Sequence, residues 1–157
     1  PGALVLDLRS AAGRCAVTLS LLRFSRTEGP SVVGLSVFIP LVERSSASTE
    51  AVYLLMRWAY EGGYRRFEWK CNAANLPSRG AAERFGLSYE GIFRQADVVK
   101  GKNRDTAWYA AIDAEWPDLE RAFEAWLDPG NFDVDGTQFS RLSNLTRPIL
   151  VTADLTL

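Results

Sequence analysis

The side chains able to do chemistry in this chain are few, and their types narrow the possibilities at once. Histidine is absent from all 157 residues. A Ser-His-Asp triad, a Cys-His pair and a His-based zinc or iron site are therefore excluded. Any general base must be a carboxylate, a tyrosine, a lysine or a chain of waters. Cysteine occurs only at Cys15 and Cys71. Two thiols make neither a disulfide framework nor a structural zinc site, so they read as reduced thiols of a cytoplasmic protein. Cys71 has no evident activator, which makes it a poor nucleophile.

Residues 43–48, Glu-Arg-Ser-Ser-Ala-Ser, suggest anion binding. They link an apolar strand to a helix, and a helix that starts there presents free N–H groups and the positive end of its dipole. Arg44 adds a charge, and Ser45, Ser46 and Ser48 add hydroxyls. The plainer alternative is a Ser-rich helix cap without a ligand. Glu68 stands between Arg66 and Lys70. It is a candidate base if it faces a cleft, but an ion pair on a solvated face is the favoured reading. Asn75 and Ser78 fit the cap and third residue of a helix, a pairing worth about 1 kcal/mol.

The elements that must position these groups follow from periodicity. Leu4, Leu6 and Leu8 alternate with polar or smaller residues, and so do Cys15, Val17, Leu19 and Leu21. Both read as half-buried strands. Residues 32–39 are almost wholly apolar and predict a strand covered on both faces. The three form an antiparallel meander. Val52, Leu55, Met56 and Ala59 then recur at helical spacing, predicting a helix over 48–61 that Gly62 and Gly63 terminate. Residues 64–71 alternate as a strand, with Phe67, Trp69 and Cys71 on one face. Asn75 opens a helix that Gly86 closes. Residues 88–99 and 104–113 form a hairpin around a Gly-containing turn, and 116–127 a last helix. The fold class is α+β, a mixed α/β layer with one central crossover and antiparallel flanks. Residues 1–128 make the domain and 129–157 an irregular C-terminal tail.

Size and charge agree. A chain of 157 residues is one domain, able to bury roughly 70% of its unfolded surface. The net charge is −1, which argues against nucleic-acid binding through global charge. That charge is uneven: residues 1–56 sum to +1, 57–104 to +5 and 105–157 to −7. The basic middle suits an anion site. No stretch approaches the ~20 apolar residues of a membrane span, so no membrane partner is expected. Residue 1 is Pro and the only methionine is Met56, so an upstream piece is expected.

Several short motifs agree in order and spacing with one family. They are Thr49-Glu-Ala, Gly63-Tyr-Arg-Arg-Phe-Glu-Trp-Lys-Cys, Asn75-Leu-Pro-Ser-Arg, Ala81-Ala-Glu-Arg-Phe-Gly, Glu90-Gly-Ile-Phe-Arg and Val99-Lys-Gly-Lys-Asn-Arg-Asp-Thr-Ala-Trp. Through them the chain resembles the GNAT superfamily of acyl-CoA N-acyltransferases, nearest the ribosomal-protein N-terminal acetyltransferases (RimJ/RimL-like). The resemblance implies a mostly antiparallel sheet splayed between strands 32–39 and 64–71, with acetyl-CoA as co-substrate in the split and no metal. It implies N–H groups near Phe38 and Ile39 for the thioester carbonyl, and a pyrophosphate held by Arg44, Ser45, Ser46, Ala47 and Ser48. It also implies that Asn75, Ser78 and Arg79 line the pantetheine side. Ser78, Asn75 and Glu68 are the implied catalytic residues, with Ser78 hydrogen-bonding the departing thiolate. The partner would be a primary amine on a small molecule, an amino acid or a protein N-terminus, met by a monomer or homodimer.

Some positions depart from the family pattern. The loop usually reads Gln/Arg-x-x-Gly-x-Gly/Ala, whereas Glu43, Ser46 and Ser48 stand here. Val32 and Leu35 occupy places that often hold a Glu and a His, and Ala82 stands where some relatives carry a Tyr. In relatives a strand and helices that wall the acceptor site also precede the part seen here. These departures support a second reading, a non-catalytic module of the same fold that binds acyl-CoA or a protein.

Overall fold

The computed structural model describes the backbone of residues 4–9, 15–25 and 31–38, and residues 45–157 in full. Three strands come first: β1 (Leu4–Arg9), β2 (Cys15–Ser25) and β3 (Ser31–Phe38). They form the expected antiparallel meander, pairing Leu6 with Leu19 and Ser20 with Leu35. There follow α1 (Ser46–Glu61), β4 (Arg66–Asn72), α2 (Leu76–Arg84), β5 (Ser88–Val99), β6 (Lys102–Ile112) and α3 (Trp116–Leu127). All six strands join one sheet in the order β1-β2-β3-β4-β6-β5.

The chain makes two crossovers where the sequence suggested one. α1 carries it from β3 to the parallel β4, and α2 carries it from β4 past one strand position to β5. β6 then returns between them, antiparallel to both. Both crossovers step the same way along the sheet. Right-handed connections therefore put both helices on the same face, and that face is where the core lies. Phe67, Trp69 and Cys71 of β4 and Ala107, Tyr109 and Ala111 of β6 meet Val52, Leu55 and Met56 of α1, Ala82 of α2, and Leu119 and Phe123 of α3. The period-2 alternation read over 64–71 is realised here: Arg66, Glu68 and Lys70 take the opposite face.

The stretch after Asp128 is not wholly irregular. It holds α4 (Leu142–Thr146) between two single turns of 3-10 helix, Pro129–Asn131 and Arg147–Ile149. Leu142 is fully buried in the core cluster. Five residues are too short for helical periodicity to show in sequence. No helix among the described residues is long and apolar enough to cross a membrane.

Candidate functional site

The site begins where the sheet parts. β3 and β4 pair in parallel from Ser31 with Arg66 to Gly34 with Trp69, and their ladder ends there. Beyond it β3 stays with β2, pairing Phe38 with Val17, while β4 stays with β6, pairing Lys70 with Trp108 and Asn72 with Thr106. Leu35–Phe38 and Lys70–Asn72 thus face each other as two inner edges. The backbone groups there that do not bond β2 or β6 have no ladder partner among the described residues and can meet a guest. Phe38 lies on one such edge; Ile39 and Arg44 lie outside the described residues.

The helices that follow these two strands start near the split. Ser45 caps α1 with extended φ/ψ of −79° and 161°, and its Oγ accepts the Ser48 N–H at 3.2 Å. Ser48 Oγ donates back to the Ser45 carbonyl at 2.8 Å, and Thr49 Oγ1 donates to it at 3.2 Å. Ser48 and Thr49 are therefore buried inside the cap. The amides of Ser46 and Ala47, both exposed, precede the first intrahelical bond and have no partner among the described residues. An open concavity of about 500 Å³ adjoins this turn, bordered by Ser45, Ser46, Trp126, Phe132 and Gln138. Trp126 Nε1 donates to Gln138 Oε1 at 2.8 Å, which holds that wall in place.

α2 is capped in the same way. Asn75 Oδ1 accepts the Ser78 N–H at 3.2 Å, and Pro77 sits in the first turn where no N–H is needed. Asn75 is exposed and Ser78 half-buried. Ser78 Oγ accepts the indole N–H of Trp69 at 3.2 Å. Burial pushes the Cys71 thiol up, and hydrogen bonding toward Ser78 works against the rise. Asn75, Ser78, Trp69 and Cys71 thus gather beside the inner edge of β4.

Two other expected residues have their charges matched by protein partners. Glu68, on the face away from the helices, accepts Arg66 Nε at 2.7 Å, and Arg66 also forks onto Glu90. Hydrogen bonding to Glu90, then to Glu68, holds Arg66 firmly in its charged form despite partial burial. Arg79 is buried and turned towards the C-terminal tail. Its Nε donates to Asp154 Oδ2 at 2.9 Å and to the Tyr109 hydroxyl at 3.2 Å, its Nη1 donates to the Ala73 carbonyl at 2.9 Å, and its Nη2 reaches Asp154 and Thr156. Tyr109 donates to Asp154 at 2.6 Å. Burial alone would raise the Asp154 carboxyl, but bonds from Tyr109, Thr156 and Arg79 outweigh it and hold it at about 2.

The sequence places Trp69 on one face of a strand and within a family motif, and does not single out Asp154. A buried tryptophan needs a partner for its N–H, and that requirement was the available signal for Trp69. Among the described residues no three or more His, Cys, Asp or Glu side chains are grouped to hold a metal.

No protein-family model matches the sequence, and no curated protein does either. Solved structures do. A GCN5-related N-acetyltransferase from Brucella melitensis is 44% identical with a TM-score of 0.86, over 92% of this chain and 66% of that one. A probable acetyltransferase of the GNAT family from Chromobacterium violaceum is 39% identical with a TM-score of 0.62, over 69% of this chain and 58% of that one. The chain therefore spans less than two thirds of either. The microcin C7 self-immunity acetyltransferase MccE, solved with acetyl-CoA and AMP, shares the fold at 22% identity and a TM-score of 0.62, over 70% of this chain and 61% of that one.

Proposed function

We propose, from the premise that this chain has the fold of the GCN5-related N-acetyltransferases, that it binds acetyl-CoA and transfers its acetyl group to a primary amine. The motifs read in the sequence favour the RimJ/RimL-like branch. A protein N-terminus, an amino acid or a small amine is the proposed acceptor, and the cytoplasm the proposed location. One observation carries the reading: β3 and β4 stop pairing after Gly34 and Trp69, with both inner edges and two capped helix starts beside the opening.

The residues present fit a thioester with a long polar arm. Edge amides near Phe38 can polarise a carbonyl oxygen. The first-turn amides of Ser46 and Ala47, with the Ser45 cap, suit a pyrophosphate. Asn75 is exposed to meet the pantetheine amides. Acetyl-CoA supplies an activated acyl group. The amine nitrogen bonds to the acyl carbon as the carbon–sulfur bond breaks, and the proton shed by nitrogen balances the thiolate as thiol. Ser78 Oγ offers a hydrogen bond to that thiolate; holding the two reactants in place supplies much of the rate.

A second reading, a non-catalytic acyl-CoA-binding module, draws support from the Arg66–Glu68 ion pair, which ties up the carboxylate nearest the split in sequence. Thermal denaturation with acetyl-CoA tests binding. The expected result is a higher midpoint, since ligand at a hundred times Kd stabilises by about 2.7 kcal/mol. An unchanged midpoint at millimolar acetyl-CoA overturns the proposal. Binding without thiol release across a panel of amines and N-terminal peptides favours the second reading.

A further inference from the structure

We propose that Trp69 is a positioning residue: its indole N–H fixes the Ser78 hydroxyl as a hydrogen-bond donor aimed at sulfur. The inference rests on the acetyl-CoA reading above and concerns how Ser78 is made fit for its part in it.

Ser48 and Ser78 both stand three residues after a helix cap, at Ser45 and Asn75. In each helix the cap side chain accepts the serine N–H at 3.2 Å. Their hydroxyls then diverge. Ser48 Oγ donates to the carbonyl of its cap residue at 2.8 Å, the usual fate of a serine in a first turn. Ser78 Oγ instead accepts the Trp69 N–H at 3.2 Å. An indole N–H can only donate, and a hydroxyl has one hydrogen to give. With Trp69 on an oxygen lone pair, that hydrogen remains for a different acceptor.

Within the protein the sulfur that Ser78 influences is that of Cys71, where it works against the rise that burial causes. Cys71 lies on the same face of β4 as Trp69, and its burial keeps it a neutral thiol, a weak acceptor. A thiolate is a charged acceptor, and such bonds are about twice as strong as neutral ones. A thiolate arriving beside Ser78 would therefore draw the hydroxyl hydrogen in preference to Cys71. Trp69 is itself held, 5% exposed and packed on Phe85 at 5.9 Å between ring centres.

The test uses coenzyme A itself and needs no acceptor amine. Thiolate absorbance is titrated as the difference between protein with and without saturating CoA. The thiol of bound CoA should ionise at a lower pH on the native protein than on Ser78→Ala, by about 1 to 2 pH units. Trp69→Phe should move the titration in the same direction, and adding it to Ser78→Ala should move it no further. If Trp69→Phe fails to fold, benzothienylalanine at position 69 keeps the ring shape and removes only the N–H.

Failure takes four forms. An equal shift from the Trp69 change in the Ser78→Ala background means that Trp69 acts by packing, and overturns the proposal. No shift from the Trp69 change, with a shift from Ser78→Ala, also overturns it but leaves the role of Ser78 intact. No shift from Ser78→Ala while CoA still raises the thermal midpoint removes both residues and leaves acetyl-CoA binding standing. Absence of CoA stabilisation overturns the functional reading as well.

Discussion

Asp154 is a buried charge, so its partners decide what it does. Its side chain has no exposed surface, and Arg79, Tyr109 and Thr156 surround it. Replacing it with Ala leaves the Arg79 guanidinium buried and unpaired, which costs roughly 3–5 kcal/mol. A fall in the denaturant midpoint of matching size checks this. The pH dependence has a fixed sign. The folded carboxyl is held at about 2, below its unfolded value of about 4. Its contribution is full above the unfolded value and is lost as pH falls from about 4 towards 2. Asp154→Asn should be less stable at neutral pH and should lose this part of the acid sensitivity. At the same scale, Ser45→Ala removes a cap and should cost about 1 kcal/mol. It should also weaken acetyl-CoA binding in the thermal assay, whereas Ser45→Gly should cost only a few tenths of a kcal/mol. The caps were legible because capping is local: Asn75 was named from its proline and spacing alone. Arg79 was read through the same short motif, but its partner lies 75 residues further on, beyond any spacing rule.

Gly86 shows how one position sets the packing of whole elements. It follows α2 with φ of +83°, the left-handed end that glycine allows. A Cβ there would come within 2.3 Å of Leu119 Cδ2 on α3 and 3.2 Å of Thr146 Cβ on α4. Gly86→Ala should therefore destabilise by roughly 2–4 kcal/mol, combining backbone strain with overpacking. A denaturant midpoint within 0.5 kcal/mol of native would contradict this close approach. Most elements were legible because period 2 and period 3.6 are strong signals over eight or more residues. The strand over Ser88–Val99 and the helix over Trp116–Leu127 match their predicted bounds. α1 starts at Ser46, two residues before the predicted 48, because Ser45 rather than a later serine takes the cap. The predicted loop of 43–48 accordingly supplies first-turn amides from Ser46 and Ala47, while its last hydroxyl, on Ser48, is turned inward.

Across the whole molecule, strand order was the least legible feature. Hairpin contacts follow from turn signals, but the insertion of β6 between β4 and β5 depends on long-range pairing. The tail is another such case: the Thr152 carbonyl accepts the Tyr89 N–H at 2.9 Å and Ser88 Oγ accepts the Val151 N–H at 2.9 Å, tying residues that read as irregular to the edge strand. The parting of β3 from β4 also bears on how the protein opens and closes as it folds. Four register pairs join the β1–β3 meander to β4, against seven between β4 and β6. Those four pairs also bridge 35 residues of chain, Ser31 to Arg66 and Gly34 to Trp69. Loop closure makes such contacts slow to form, and a short junction gives little protection against local opening. In native-state hydrogen exchange the β4–β6 amides should outlast those of the β3–β4 junction, and the three meander strands should exchange as one cooperative unit. The gap between the inner edges thereby becomes the line along which the native protein first divides, and acetyl-CoA, bound as proposed across both edges, should slow exchange on the two sides together.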